Sequence, residues 1–252
     1  MRIPDAIDAL ARDMSAHFGA RLQAFVAYGL HAHATADVAH DDHGHHASKR
    51  PAHTLAVVDR VSADDLRALA PRVDAWHEQG LATPLLLGAR EFDRSLDAFP
   101  FELGAVMADY TVVSGRDPFA GLTVAGEDLR RACEIQARGH LLHLREACLE
   151  SRGRSDALSD VIVRSAPALS ALVTTFARLD DGIQLKPDQT HGHARAAAQA
   201  VEARLNVPPD SLSAVVGLAG VQEIPSAEAD RLFPPYLAAV ERLVEYIDSW
   251  RS

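Results

Sequence analysis

Two short apolar runs, separated by a polar and histidine-rich segment, constrain this chain more than any other feature. The first run is Leu22–Tyr28, which ends at Gly29, and the second is His53–Val58. Both contain β-branched or aromatic residues and both are bounded by turn-forming residues, so they predict two buried β-strands. Residues 31–52 contain few large apolar side chains and predict a long loop, a kind of segment that in compact domains usually carries a function or lacks order.

The remainder of the first half alternates between helical and extended patterns. Apolar residues recur at helical spacing over Ile3–Phe18, and Ser62 followed by two acidic residues predicts the start of a second helix that ends near Gly80. A third strand is predicted at Thr83–Leu87 and an extended run at Leu103–Val113. Helices alternating with strands in this way are typical of an α/β layer architecture.

The second half shows only helical patterns. From Glu127 onward the apolar residues fall on helical spacing, and no β-like run follows residue 115. Turn-forming residues cluster at Asp117–Gly121. We therefore predict a first domain over residues 1–120 and an all-α helical bundle over residues 121–252.

Charge and hydropathy restrict the partners. The formal net charge of −10 disfavours nonspecific binding to nucleic acid, which requires a basic surface. The first residues carry charges where a signal peptide needs an apolar core, and no uninterrupted apolar run reaches the roughly 20 residues that span a bilayer. These observations predict a cytoplasmic protein without a membrane partner.

A series of short segments in the first half occurs in the order and spacing of a known family. They are Phe25–Gly29, His53–Val58, the helix start at Ser62, Thr83–Ala89, Phe99–Glu102 and Val112–Phe119. Together they resemble the nucleotidyltransferase superfamily of the kanamycin and lincosamide nucleotidyltransferase kind, and more closely bacterial predicted nucleotidyltransferase-domain proteins of unassigned substrate. The resemblance covers residues 5–150. It implies an α/β (α+β) nucleotidyltransferase-like N-terminal domain with a mixed sheet, followed by the helical bundle.

The resemblance also assigns site residues. In the family, a glycine–serine pair after the first strand binds the triphosphate, and two carboxylates spaced one residue apart, with a third from a later strand, hold Mg²⁺. Here Gly29 is present, Leu30 stands at the serine position, and Ala52 and Thr54 stand at the paired-carboxylate positions. The segment match places Glu102 at the third carboxylate. Gly29, Leu30 and Thr54 are thus the predicted nucleotide-binding residues and Glu102 the only catalytic candidate.

A single carboxylate cannot hold two Mg²⁺ ions, so the family reaction, Mg²⁺-dependent transfer of a nucleotidyl group from an NTP to an acceptor, is not expected here. We interpret the chain as a catalytically degenerate member, retained to bind a small molecule or a protein partner. One alternative stays open: an active nucleotidyltransferase on a small molecule, with Mg²⁺ and NTP held by atypical ligands such as Asp37, Asp41 or Asp42 beside Glu102.

The histidine-rich segment supports another alternative. Seven of the 13 histidines lie between His31 and His53, with aspartates interleaved. Imidazole suits Zn²⁺ and Ni²⁺, so His40, His43, His45 and His46 are candidate metal ligands and the chain a candidate metal-binding protein. A solvated loop without a ligand explains the same composition. Whether the protein forms a homo-oligomer is left open by these patterns.

Overall fold

The computed structural model describes residues 5–30, 51–183 and 194–249 of the chain. These residues form two compact units that divide between Val124 and Ala125. The N-terminal unit combines helices with a sheet, and the C-terminal unit is largely helical.

A four-stranded mixed sheet forms the centre of the N-terminal unit. Its strands are β1 (Leu22–Tyr28), β2 (His53–Val58), β3 (Leu85–Gly88) and β4 (Tyr110–Gly115). Their order in the sheet is β3-β2-β1-β4, with β2 parallel to β3 and β1 antiparallel to both of its neighbours. The expectation of a mixed α+β architecture is therefore confirmed.

Helices flank this sheet. They are α1 (Asp5–Phe18), α2 (Ala63–Leu69), α3 (Val73–Glu78), α4 (Ala89–Phe92), α5 (Ser95–Ala98) and α6 (Pro100–Ala108). The prediction of an extended run over Leu103–Val113 was wrong in its first part, because residues 100–108 are helical. Pro100 fits the first turn of a helix, where its missing N–H costs nothing, and buried Leu103 and Val106 are three residues apart.

Both faces of the sheet are covered by apolar side chains. One cluster joins Phe25 and Ala27 of β1 to Ile7 and Met14 of α1 and to Trp76. A second cluster on the opposite face is formed by Ala24, Val26, Leu55, Val57, Phe92, Val106 and Phe119. A strand that is buried on both faces has no need for polar residues, which explains why β1 and β2 are nearly continuous apolar runs in the sequence.

The C-terminal unit is built from helices in the residues that the structure describes. They are α7 (Gly126–Glu150), α8 (Ser155–Leu179), α9 (Ala194–Leu205), α10 (Ser213–Gly217) and α11 (Ser226–Ser249). Helix α8 is long and apolar enough to pass a length-and-composition test for a membrane span. Its buried residues, among them Ile162, Leu169 and Phe176, form the core of this unit, and a core helix of a soluble protein passes the same test.

Candidate functional site

The end of β1 is the place where the sequence predicts a nucleotide site. Gly29 follows the strand with φ of 68°, a left-handed conformation that favours glycine, and its N–H donates to the carbonyl oxygen of Asp109 at 2.8 Å. Leu30 is buried against the core that contains α1. The chain therefore turns sharply at Gly29, and Leu30 contributes packing where the family has a hydroxyl.

The predicted carboxylate positions, Thr54 on β2 and Ala52 just before it, face the protein interior. Ala52 packs against the same core as α1, and Thr54 is 1% exposed. Among the described residues, the Oγ1 atom of Thr54 has no hydrogen-bond partner. The intervening side chain, His53, is exposed, and Leu55 on its face of the strand is fully buried. A carboxylate at position 54 would be buried without donors, which is costly, so the position suits threonine better than an acid.

Glu102 does not lie on a strand. It is an exposed residue in the first turn of α6, where an acidic side chain interacts favourably with the helix dipole. The expectation of a third carboxylate in strand geometry is corrected accordingly, because Pro100 starts a helix at this point.

Asp109 is the acidic residue that sequence reasoning missed. It lies between α6 and β4, is 8% exposed, and its carbonyl oxygen receives the Gly29 N–H. The sequence offers one signal for it: Asp109 directly precedes an aromatic, β-branched run. That signal becomes useful only once β4 is known to lie beside β1.

Aromatic side chains occupy the same end of the sheet. Tyr28 is paired with His53 on β2 and with Tyr110 on β4, and the Tyr28 and His53 rings stack with centroids 5.5 Å apart. Tyr110 contacts the ring of Phe119 at 4.9 Å and its hydroxyl donates to the Asp117 carboxylate. Burial raises the pKa of Tyr28 and of Tyr110, and the hydrogen bond to Asp117 raises that of Tyr110 further. Both phenols are therefore neutral at pH 7.

The predicted metal ligands His40, His43, His45 and His46 lie outside the described residues, as do Asp37, Asp41 and Asp42. Within residues 5–30, 51–183 and 194–249, no group of three or more His, Cys, Asp or Glu side chains is placed to hold a metal ion.

A second polar cluster in the N-terminal unit is centred on Asp65. This carboxylate is 5% exposed and accepts two hydrogen bonds from the Arg21 guanidinium, at 2.7 and 3.1 Å. It also accepts from the backbone N–H and the hydroxyl of Ser62, and His17 Nε2 lies 3.1 Å away. The Arg21 guanidinium, followed by Ser62, holds the pKa of Asp65 far below its usual range. The hydrogen-bonding groups of this cluster are paired with one another. We therefore interpret the cluster as a structural contact between α1 and α2 and not as a ligand site.

The C-terminal unit contains a cleft of about 540 Å³ between α7 and α8. Small-molecule sites have volumes of about 300–1,000 Å³. Residues lining it include Gly139, His140 and Leu144 from α7 and Arg164, Ser165 and Ala168 from α8. The lining is mostly apolar, with a few polar groups on it.

Two of those polar groups, His140 and Ser165, belong to a chain of hydrogen bonds that joins three helices. The Tyr236 hydroxyl of α11 donates to Ser165 Oγ at 2.9 Å, and Ser165 Oγ donates to the carbonyl oxygen of Ile162. His140 Nε2 lies 2.6 Å from the Tyr236 oxygen, and because the phenol proton is committed to Ser165, Nε2 is the donor. Burial, assisted by His143, lowers the pKa of His140 to about 4, so the ring is neutral at pH 7.

Comparison with protein-family models finds no match to this chain, and comparison with curated proteins finds no significant match either.

Proposed function

We propose that the N-terminal unit is a nucleotidyltransferase-like domain without a catalytic metal site, a pseudoenzyme that serves a binding role. The observation that carries the proposal is the composition of β2, because no residue of His53–Val58 is acidic. Whether the family motif is placed at positions 52 and 54 or at positions 53 and 55, it supplies no pair of carboxylates. Without that pair, two Mg²⁺ ions cannot be held beside a triphosphate, and phosphoryl chemistry loses its main source of charge stabilisation.

The strand arrangement supports the nucleotidyltransferase-like assignment. The mixed sheet and the glycine directly after β1 agree with what the resemblance implies. A largely helical unit follows, which also agrees with it.

Aromatic stacking supports the binding role. Tyr28, His53 and Tyr110 occupy adjacent positions across three strands at the end of the sheet. Planar rings in such a row can stack on a nucleobase, another planar molecule or a protein side chain without a metal ion. We infer that the partner is a small molecule or a protein and that it binds independently of Mg²⁺.

Two measurements on the purified protein test this proposal. We expect no pyrophosphate release from ATP, GTP, CTP or UTP with Mg²⁺ or Mn²⁺, and we expect calorimetry to show no strengthening of ATP binding when Mg²⁺ is added. Pyrophosphate release together with Mg²⁺-dependent ATP binding would refute the loss of the metal site.

A second candidate is an active nucleotidyltransferase with an atypical ligand set. The observation in its favour is Asp109, a buried acid whose backbone bonds to Gly29. If pyrophosphate release is detected, Asp109→Asn and Glu102→Gln separate the two cases. Loss of activity in these variants, with activity kept in the exposed control Glu78→Gln, would establish the atypical site.

The metal-binding hypothesis for the histidine-rich segment remains a prediction. It expects submicromolar affinity for Zn²⁺ or Ni²⁺ that disappears when His40, His43, His45 and His46 are replaced by serine. Affinity unchanged by the replacement would rule that segment out as the binding site.

A further inference from the structure

The cleft between α7 and α8 has the size and the walls of a small-molecule site. Its volume is about 540 Å³, and Leu144 and Leu172, which are 3% and 1% exposed, line it from opposite helices. Ile135 also lines it and is 64% exposed. An apolar molecule in the cleft would cover Ile135 and remove its exposed surface from water.

Gly139 keeps one wall of the cleft open. A glycine in the interior of a helix is less favourable than alanine, so it usually has a packing reason. Here a Cβ atom at position 139 would meet no atom within 4 Å, so no neighbouring residue requires the glycine. What an added side chain would occupy is the cleft itself, because Gly139 lines it.

His140, Tyr236 and Ser165 form a rigid and neutral polar base for the cleft. Two of these three side chains, His140 and Ser165, line it, and the hydrogen bonds described above fix their positions. The Tyr236 side chain is fully buried, and burial raises the pKa of its hydroxyl, so the phenol stays protonated. The three side chains are hydrogen-bonded to one another and are neutral, so the charged groups of the cleft lining come from other residues.

Arg164 supplies that charge. It lies on α8 next to Ser165 and lines the cleft. In the described part of the chain, no carboxylate forms an ion pair with its guanidinium, whereas Arg130, Arg131, Arg138 and Arg145 on α7 all have acidic partners. Asp160, the acidic residue of the lining, lies one helical turn from Arg164 in the direction of the α7–α8 connection.

We propose that this cleft binds a small molecule with an apolar body and a carboxylate. The apolar body fills the space beside Gly139 and Ala168, and the carboxylate pairs with Arg164, whose planar guanidinium can donate two parallel hydrogen bonds to it. The proposal is independent of the function proposed for the N-terminal unit.

Calorimetric titration with three probes of equal chain length, octanoate, octanol and octylammonium, tests the ligand class. We expect octanoate to bind at least tenfold more tightly than octylammonium, with octanol between them. Arg164→Gln should weaken octanoate binding about tenfold, the loss of one charged contact, and should leave octanol unaffected. The control Arg231→Gln, on α11 and away from the cleft lining, should bind octanoate as the parent does.

Filling the cleft tests the location. Ala168→Trp should abolish octanoate binding, and Ala171→Trp, an exposed position on the same helix that does not line the cleft, should leave it unchanged. Gly139→Ala should raise the Tm of the C-terminal unit by about 2–4 °C, because alanine favours the helix, and should weaken binding. Gly126→Ala, at the start of the same helix, should leave affinity unchanged.

Circular dichroism establishes that each variant is folded before it is titrated. Three results would overturn the proposal: no binding of octanoate by the parent protein, tighter binding of octylammonium than of octanoate, or octanoate binding that survives Ala168→Trp. A Gly139→Ala variant that gains stability and keeps full affinity would remove the role assigned to that glycine.

Discussion

Replacing Asp65 by asparagine should destabilise the N-terminal unit by about 2–3 kcal/mol. Asp65 accepts hydrogen bonds from Arg21 and from both the N–H and the hydroxyl of Ser62, and it lies 3.1 Å from His17 Nε2. Asparagine keeps one oxygen acceptor but presents an NH₂ group to donors at the other position. The substitution therefore removes charge-assisted hydrogen bonds, and some of the N–H and O–H groups of Arg21 and Ser62 then face the amide NH₂ group in place of an acceptor.

The magnitude follows from burial. Hydrogen bonds to charged groups contribute about 1.5–3 kcal/mol each, and breaking one side of a fully buried ion pair costs about 3–5 kcal/mol. The Asp65 side chain is 6% exposed, whereas the Arg21 side chain is 42% exposed and can regain water when its partner is lost. That partial hydration places the expected cost below the range for a fully buried pair.

Urea unfolding followed by tryptophan fluorescence measures the free energy of unfolding of the N-terminal unit by itself. The chain has two tryptophans, and Trp76 is buried in the core of the N-terminal unit, so a Trp250→Phe background makes Trp76 the only reporter. Asp64→Asn is the matched control, since Asp64 is the neighbouring residue and its side chain is 91% exposed. We expect it to change stability by less than about 0.5 kcal/mol.

The pH dependence gives the prediction a second readout. Because Arg21 and Ser62 lower the folded-state pKa of Asp65, the folded protein binds fewer protons at this site than the unfolded chain does. The stabilisation is present above the unfolded-state pKa of about 3.9 and is lost as the pH falls below it. The difference between the parent and Asp65→Asn should therefore shrink below about pH 4. A difference under 0.5 kcal/mol at pH 7, or one that grows on acidification, would refute the reasoning.

Two further predictions concern the C-terminal unit. Burial lowers the pKa of His140 to about 4, so between pH 6.5 and pH 4 only the unfolded chain takes up this proton, and acidification should destabilise the C-terminal unit. The urea midpoint of His140→Gln should therefore depend less on pH over this range than that of the parent protein. An unchanged pH dependence would contradict the lowered pKa of His140. Glu202→Gln should cost about 2–3 kcal/mol in urea unfolding followed by circular dichroism, because buried Glu202 accepts from the backbone N–H groups of Leu212 and Ser213 at 2.7 Å. A cost no larger than that of Glu223→Gln, at an exposed position of the same unit, would contradict this.

Local sequence signals were sufficient for most of the secondary structure. Ser62 followed three residues later by Asp65 predicts a helix start, and the structure has a complete capping box there. The apolar run Leu22–Tyr28 and the helical spacing over Ile3–Phe18 likewise predicted their elements. Such signals act between residues a few positions apart, so they can be read without knowing the tertiary structure. They failed at residues 103–108, where a short apolar segment fits a strand and a buried helix equally well.

The candidate sites depended on contacts that no local signal encodes. Gly29 was found from the sequence because a glycine after a strand is a local feature, whereas its neighbour Asp109 lies 80 residues later and is brought there by the pairing of β4 with β1. Glu102 was chosen from a local motif and proved to be an exposed helix residue.

The sequence by itself determined where most helices and strands form, that the first half is mixed and the second helical, and that β2 carries no acidic side chain. Only the tertiary structure decided which strand lies beside β1, that Thr54 faces the core, and that His140 meets Tyr236 across 96 residues of chain. The physical reason is the range of the interactions. Helix capping and hydrophobic periodicity depend on residues a few positions apart, whereas a site is formed by side chains that are distant in sequence and adjacent in space. Their separation along the chain does not determine their distance in the folded protein.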